Sequence, residues 1–298
     1  MLKSSPLKEQ SYFLEVGKET LHLKRFHINP DGEPVFLLHG SVEDGRIYYS
    51  KSGKGLAPFL ARQGYDVFIP DISGKGKSTP KISKKSTQGL TEIITEELPT
   101  FLNKIKEFKG EMPQYWIGHS WGGTLQYAYL LRFPNKVKVK SMVHFGVKRR
   151  ITAFTWNKLY MINFGWYLLG GIMTKIYGYT PITKLGFGSE DEARNYFYQT
   201  NQWFRKKRWV DADGFDYSAQ IENTNLPPSL FLNGIKDDAL GSKKDSLLFM
   251  KELRLKNSEQ KDLSIKLGNL QDYDHNNILV SKNSEKDVFP LVVKWFRK

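Results

Sequence analysis

The sequence predicts a doubly wound α/β fold with a mostly parallel sheet and a helical insertion. Three observations carry this prediction. Short runs apolar on both faces recur along the chain: Val35-Phe36-Leu37-Leu38, Val67-Phe68-Ile69, Tyr115-Trp116-Ile117, Met142-Val143-His144-Phe145 and Leu230-Phe231-Leu232. Such runs suit parallel strands covered on both sides. Helical patterns separate them, and strand–helix–strand alternation winds into an α/β layer structure. The third observation is a break in this rhythm. From about Lys148 to Tyr217 no clear sheet strand is read, and the segment is rich in Trp, Tyr, Phe and Gly. It reads as a helical insertion seated on the sheet.

Each element follows in order. Tyr12–Val16 and Leu21–Ile28 alternate with period two, as in an antiparallel edge hairpin. A helix is expected over 55–63, ending at Gly64, a suitable C-cap. From Glu92, residues Ile94, Leu98, Leu102 and Ile105 recur near helical spacing, and Pro99 should start or kink a helix there. Trp121–Arg132 reads as a helix ending before Phe133-Pro134, and 246–255 and 287–297 are amphipathic. No internal repeat or low-complexity tract interrupts the series.

With 298 residues, 40% hydrophobic and 26% charged, the chain buries a core without staples and is not a disordered sequence. Its lack of cysteine rules out disulfides, thiolate metal sites and a cysteine nucleophile. The formal net charge is +14, carried by 34 Lys and 11 Arg against 31 acids. Lysine spread along the chain reads as solvated surface rather than as a specific nucleic-acid face, for which no motif is present. Two basic runs, Lys148-Arg149-Arg150 and Arg205–Arg208, flank the insertion and read as ordinary surface charge. Beside the uncharged stretch Leu159–Thr174 they also suggest a weak contact with an anionic membrane surface. The N-terminal residues carry no apolar signal region, and Leu159–Thr174 is short for a bilayer span, so a soluble cytoplasmic protein is expected.

Gly118-His119-Ser120-Trp121-Gly122 carries the chemistry. It follows an apolar strand run and opens a helix, the setting that G-x-S-x-G requires. Such a turn holds Ser120 in a strained conformation, with Gly118 and Gly122 leaving room for neighbouring backbone. Its hydroxyl then stands at the positive end of a helix.

A serine hydroxyl needs a base, and the base needs an orienting group. Of the six histidines, His22 and His27 fall in the edge hairpin and suit surface or edge roles. His119 adjoins the serine and would point elsewhere, and His144 lies in a strand run and reads as a satisfied core residue. His275, in the polar loop Asp272-Tyr273-Asp274-His275, is the expected base. The acid is expected in the loop after Leu230-Phe231-Leu232, at Asp237 or Asp238, because carboxylates past a parallel strand end face the crevice. The oxyanion would bind two backbone N–H groups, Trp121 after the nucleophile and Ser41 after His39-Gly40. His39 would shape that loop without transferring protons.

Together these residues resemble the α/β-hydrolase fold family, over essentially the whole chain. The order Ser120…Asp237…His275, the His39-Gly40 loop, the stretch Asp71–Ser78 and the serine turn all match in spacing. The resemblance is strongest to lipase-like and monoacylglycerol-lipase-like serine esterases. It implies an eight-stranded sheet, a core of 1–147 and 221–298, and a cap or lid of 148–220 inserted after the sixth strand. The Gly234-x-x-Asp loop form resembles that family's acid loop and favours Asp237, with Asp238 as the alternate acid. The family often has Arg where Ser73 stands; this departure removes a charge from a supporting loop and leaves the triad untouched. The expected activity is hydrolysis of carboxylic esters, lipid-like acyl esters among them, through a covalent acyl-enzyme with no metal or cofactor. A thioesterase or acyltransferase on the same triad is the alternative, and a non-catalytic binding protein on this scaffold the more distant one. The aromatic cap would either line an acyl pocket or glue cap to sheet.

Overall fold

The computed structural model describes residues 6–152 and 154–298; the first residues of the N-terminal stretch read above fall outside them. β1 (Lys8–Val16) and β2 (Glu19–His27) form the antiparallel hairpin. Then come β3 (Pro34–Leu38), β4 (Asp66–Asp71), β5 (Gln114–His119) and β6 (Val139–Phe145). After the insertion, which holds β7 (Tyr179–Thr180) and β8 (Glu192–Ala193), come β9 (Ser229–Gly234) and β10 (Glu259–Leu263). The main sheet has eight strands in the order β1-β2-β4-β3-β5-β6-β9-β10, parallel from β4 onward.

The apolar runs are continuous because both faces are covered. In β3, Phe36 and Leu38 pack on one side with Trp116 of β5 and Leu125 of the helix Trp121–Arg132. Val35 and Leu37 pack on the other side with Leu60 of the helix Leu56–Arg62 and Val292 of the helix Phe289–Phe296. Successive side chains on a strand point to opposite faces, so one run feeds two layers. β10, Glu-Gln-Lys-Asp-Leu, escapes this pattern: as an edge strand it pairs on one side only and carries polar residues.

Pro99 lies in the first turn of the helix Leu98–Lys109, directly after a π-wound stretch, Ile93–Glu97. The missing N–H of a proline is tolerated at such a start. The C-terminal helices begin earlier or divide: Lys243–Glu252, then Ser284–Asp287 and Phe289–Phe296.

Between β6 and β9 the chain is mostly helical. Residues 156–177 form one continuous helical run, π-wound over Leu159–Gly170 and closed by left-handed Gly178. The helix Arg194–Arg205 follows. The segment does contain strand: β7 and β8 pair as a short antiparallel ribbon apart from the main sheet. Two-residue strands are too short to leave a period.

Two expectations need correction. Lys148 and Arg149 are not surface charges but are 3% and 0% exposed. Arg149 donates to the carbonyls of Trp203 (2.7 Å), Lys206 (2.9 Å) and Lys207 (2.8 Å) and pairs with Glu252, tying the end of Arg194–Arg205 to the core. Arg205–Arg208 are exposed, as read. His22 and His27 are likewise buried; His22 bridges Asp71 (2.8 Å) and Ser11 (2.9 Å).

Candidate active site

Parallel strands deliver the chemistry-bearing residues to one edge. Ser120 follows β5, Asp237 follows β9, His275 follows β10, Ser41 follows β3 and Lys148 lies just beyond β6. Carboxyl ends of parallel strands open on such a crevice.

Ser120 stands between β5 and the helix Trp121–Arg132 at φ 47° and ψ −121°. A left-handed φ at a non-glycine residue is strained, and the close packing around the turn holds it. A Cβ on Gly118 would lie 2.4 Å from Gly123 Cα, and one on Gly122 would lie 2.2 Å from the Leu38 carbonyl oxygen. Gly40 approaches the serine itself, its notional Cβ 2.9 Å from Ser120 Cβ.

His275 Nδ1 lies 2.5 Å from Asp237 Oδ2. The other carboxylate oxygen of Asp237 accepts from the N–H groups of Gly241 (2.8 Å) and Leu240 (3.1 Å). Burial alone would raise the Asp237 carboxyl, but His275 beside it outweighs this and holds it below the usual range. Burial pushes the His275 imidazole below its ordinary value, against the pull of Asp237. Asp238 points away, accepting from Asn157 Nδ2 at 2.9 Å. Among the described residues the Ser120 hydroxyl has one hydrogen-bond partner, and it is Lys148 Nζ at 3.0 Å rather than His275.

The loop after β3 leaves one N–H open. Gly40 N–H donates to Glu43 Oε1 (2.5 Å) and Val42 N–H to Glu192 Oε1 (2.7 Å), so Ser41 N–H is the remaining donor beside Ser120. Ser41 Oγ meets Tyr196 Oη at 2.6 Å. His39 is buried; its Nε2 accepts from Ile72 N–H (3.3 Å), and its Nδ1 therefore donates to the Gly40 carbonyl (2.9 Å). His39 thus links the loop after β3 to the loop after β4. His119 bonds Glu43 Oε1 (2.6 Å) and the His275 carbonyl (3.0 Å), so it bridges the serine turn to the histidine loop. Burial works against its charge, but Glu43 raises its pKa. His144 is buried but not satisfied: among the described residues neither ring nitrogen has a partner, and burial lowers its pKa to about 3. Its ring lies against Tyr127 and Phe231.

Ser120, His275, Ser41, Trp121 and Lys148 all line one cavity of about 580 Å³. Apolar side chains from the insertion close it, among them Met161, Ile162, Trp166, Phe187 and Phe204. Among the described residues no group of three or more His, Asp or Glu side chains is placed to hold a metal ion.

The sequence profile of the alpha/beta hydrolase fold family matches residues 33–279. The chain belongs to that family. Curated hydrolases align with part of it. Bifunctional epoxide hydrolase 2 of Sus scrofa is 33% identical over 109 residues, 36% of this chain and 17% of the relative. Proline iminopeptidase of Arabidopsis thaliana is 34% identical over 113 residues, 36% and 25% of the two chains. Human lipase member K is 30% identical over 126 residues, 40% and 31% of the two. The chain thus spans less than a third of each of these relatives' length. Solved structures extend the likeness in fold to nearly the whole chain. Alpha/beta hydrolase domain-containing protein 10 from mouse superposes with a TM-score of 0.63 at 14% identity, covering 97% of this chain and 98% of that one. The thioesterase domain from the curacin biosynthetic pathway does so with 0.59 at 15% identity, covering 96% and 99%.

This α/β-hydrolase-fold chain holds site residues that the sequence reading passed over. Glu43, Glu192 and Tyr196 fix the loop around Ser41, and no periodicity or motif marks them. Lys75 Nζ pairs with Glu192 at 2.6 Å, both 1% exposed, and so ties the loop after β4 to the insertion. Where the family often has Arg, Ser73 donates through N (2.8 Å) and Oγ (2.5 Å) to Glu97, whose burial raises it to about 7. Lys148 was concealed by its basic neighbours; its place three residues past a strand end and two past Gly146 was the available signal.

Proposed function

We propose that this hydrolase cleaves carboxylic esters with an apolar acyl chain, through Ser120, His275 and Asp237. One observation carries the reading: a histidine paired through Nδ1 to a buried carboxylate lines the same apolar cavity as a strained serine at a helix start. Asp237 fixes the tautomer of His275, leaving Nε2 to take the Ser120 proton. Oγ then bonds the ester carbonyl carbon while the π electrons move to oxygen, where the Ser41 and Trp121 N–H groups receive the charge. Collapse breaks the bond to the alcohol, which leaves with the proton from His275, and water repeats the sequence to free the acid. Asp237 rather than Asp238 is the acid in this mechanism, and 148–220 acts as the cap.

The lining of Met161, Trp166, Phe187 and Phe204 supports an acyl pocket over a merely structural cap. The outer face of the same helical run supports a lipid source. Tyr160, Phe164, Leu168, Ile172 and Ile176 recur every four residues and are 61%, 45%, 51%, 47% and 69% exposed. No Asp or Glu occurs between Glu111 and Glu190, whereas Lys158, Lys175 and Lys184 accompany the stripe. An apolar stripe within a purely cationic segment fits an anionic lipid surface. No helix among the described residues is long and apolar enough to cross a membrane; we take the location as cytoplasmic, with contact at the membrane face.

The test is turnover of p-nitrophenyl esters from acetate to palmitate, with Ser120→Ala as control. The reading expects activity that rises with chain length and falls about 10⁶-fold in the variant. Turnover unchanged by Ser120→Ala would overturn it, and serine-dependent turnover of thioesters alone would move it to the thioesterase.

A further inference from the structure

Lys148 is the feature of the cavity that the triad does not use. Its backbone is pinned by Thr124 Oγ1, which donates to the Lys148 carbonyl at 2.7 Å. Its side chain is buried, lines the cavity and donates from Nζ to Ser120 Oγ at 3.0 Å. No carboxylate among the described residues pairs with it within 4.0 Å. The charged groups facing it come from four directions. Asp237 lies in the loop after β9, Asp245 on the helix Lys243–Glu252, and Glu43 in the loop after β3. The fourth direction is the histidine pair, His275 in the loop after β10 and His119 at the end of β5. Asp245 is itself engaged by Thr152 through N (2.7 Å) and Oγ1 (2.6 Å). A buried ammonium without a contacting counter-ion is costly to fold. This one is aimed at the atom that would carry negative charge during the reaction.

We propose that Lys148 is a further catalytic residue, whose ammonium stabilises negative charge on Ser120 Oγ as it attacks and again as it leaves. The proposal rests on the serine-hydrolase reading above. In the attack, the Oγ proton passes to His275 Nε2 as the Oγ–carbon bond forms, and Lys148 keeps all three of its own protons. In deacylation the carbon–Oγ bond breaks, Oγ takes its proton back from His275, and the Lys148 N–H again faces the departing oxygen. Lys148 thus acts on the nucleophile, whereas the Ser41 and Trp121 N–H groups act on the carbonyl oxygen. The three donors serve two different atoms. A charged donor in a water-poor site stabilises more than a neutral one. Burial lowers the Lys148 pKa to about 8, against the pull of Asp237, so its charge is lost within an accessible range.

The experiment is the rate of Ser120 labelling by a neutral alkyl phosphonate, followed against pH in the full chain and in Lys148→Met. Labelling reads nucleophilicity at Oγ and needs no knowledge of the natural ester. The wild-type rate should rise as His275 loses its proton and fall again as Lys148 loses its own near pH 8. Lys148→Met, with its fold checked by circular dichroism, should label about 10²-fold more slowly and lose the alkaline fall. A folded variant that labels at the wild-type rate with the same alkaline fall would overturn the proposal. So would a loss seen only with a second phosphonate that carries a carboxylate on its alkyl chain, which would make Lys148 a substrate-binding cation. Lys148→Arg keeps the test alive should the methionine variant not fold: it should label near the wild-type rate without the alkaline fall, and a fall that persists in it would overturn the proposal. A wild-type chain that does not label at all would instead overturn the serine-hydrolase reading itself.

Discussion

Asp237 Oδ2 lies 2.5 Å from His275 Nδ1, while the adjacent Asp238 turns its carboxylate to Asn157. The two acids can therefore be separated by substitution. Asp237→Asn should lower kcat about 10⁴-fold, since an amide favours the wrong imidazole tautomer. Asp238→Asn should change kcat less than about 3-fold, because it removes a surface contact. Steady-state ester kinetics on the two variants checks both; a severe Asp238 variant beside a mild Asp237 one would reverse the choice of acid.

The acid limb of the pH profile follows from His275. In the proposed mechanism His275 must be neutral to accept the Ser120 proton, and burial holds its pKa below 6.5. As pH falls, kcat/KM should therefore persist past 6.5 and drop only at lower pH. A midpoint above 6.5 would mean that Asp237 dominates over burial.

Glu97 should make stability pH-dependent. Its carboxyl is raised in the folded chain from 4.5 to about 7, so the native state binds the proton more tightly than the unfolded chain. Its contribution is fully present below pH 4.5 and is lost as pH rises through about 7. Glu97→Gln keeps an acceptor for Ser73 N–H and removes the titration. It should raise the Tm at pH 8 relative to wild type and leave little difference at pH 5, as differential scanning calorimetry would show.

Gly146→Ala should damage the site with little effect elsewhere. Gly146 sits at φ 59°, and a Cβ there would come within 2.9 Å of His275 Nδ1 and 3.0 Å of Asp237 Oδ2. The expected outcome is a loss of about 2 kcal/mol in stability together with a steep loss of kcat, read from denaturant unfolding and ester kinetics. Wild-type turnover would show that the His275–Asp237 contact tolerates displacement.

The exposed stripe on 156–177 predicts salt-sensitive sedimentation with phosphatidylglycerol vesicles and weaker sedimentation with phosphatidylcholine alone. Leu168→Glu with Ile172→Glu should abolish sedimentation and leave turnover of a water-soluble short-chain ester unchanged. Self-association in place of lipid binding, seen as a dimer by light scattering and lost in the same variant, would assign the stripe to a second copy of the chain.

Much of this architecture was legible in the residues, for definable reasons. Strands buried on both faces announce themselves as unbroken apolar runs, and the serine turn is forced by glycines that nothing else can replace. The edge strand Glu259–Leu263 was silent because it packs on one side only. Lys148 and Arg149 were misread because burial is a property of place: residues of one charge type look alike in sequence whether they face water or a cavity. Glu192 and Tyr196 reach the Ser41 loop from the insertion, some 150 residues away, and only folding makes them its neighbours. The rings of His119 and His275, 4.7 Å apart, are brought together in the same way.

Arg149 has a mechanical consequence. Its guanidinium grips three carbonyls at one end of the helix Arg194–Arg205 and the carboxylate of Glu252 on the sheet side. With the Lys75–Glu192 pair and the Ser41–Tyr196 contact, it fastens the insertion to the core from more than one side. The run 156–177 is itself held at its start, where Asn157 donates to Asp238, and carries its exposed apolar face beyond that anchor. Under the proposed lipid contact, a membrane would therefore press on an anchored segment rather than a loose flap, and the load would fall on the cavity lining beneath it.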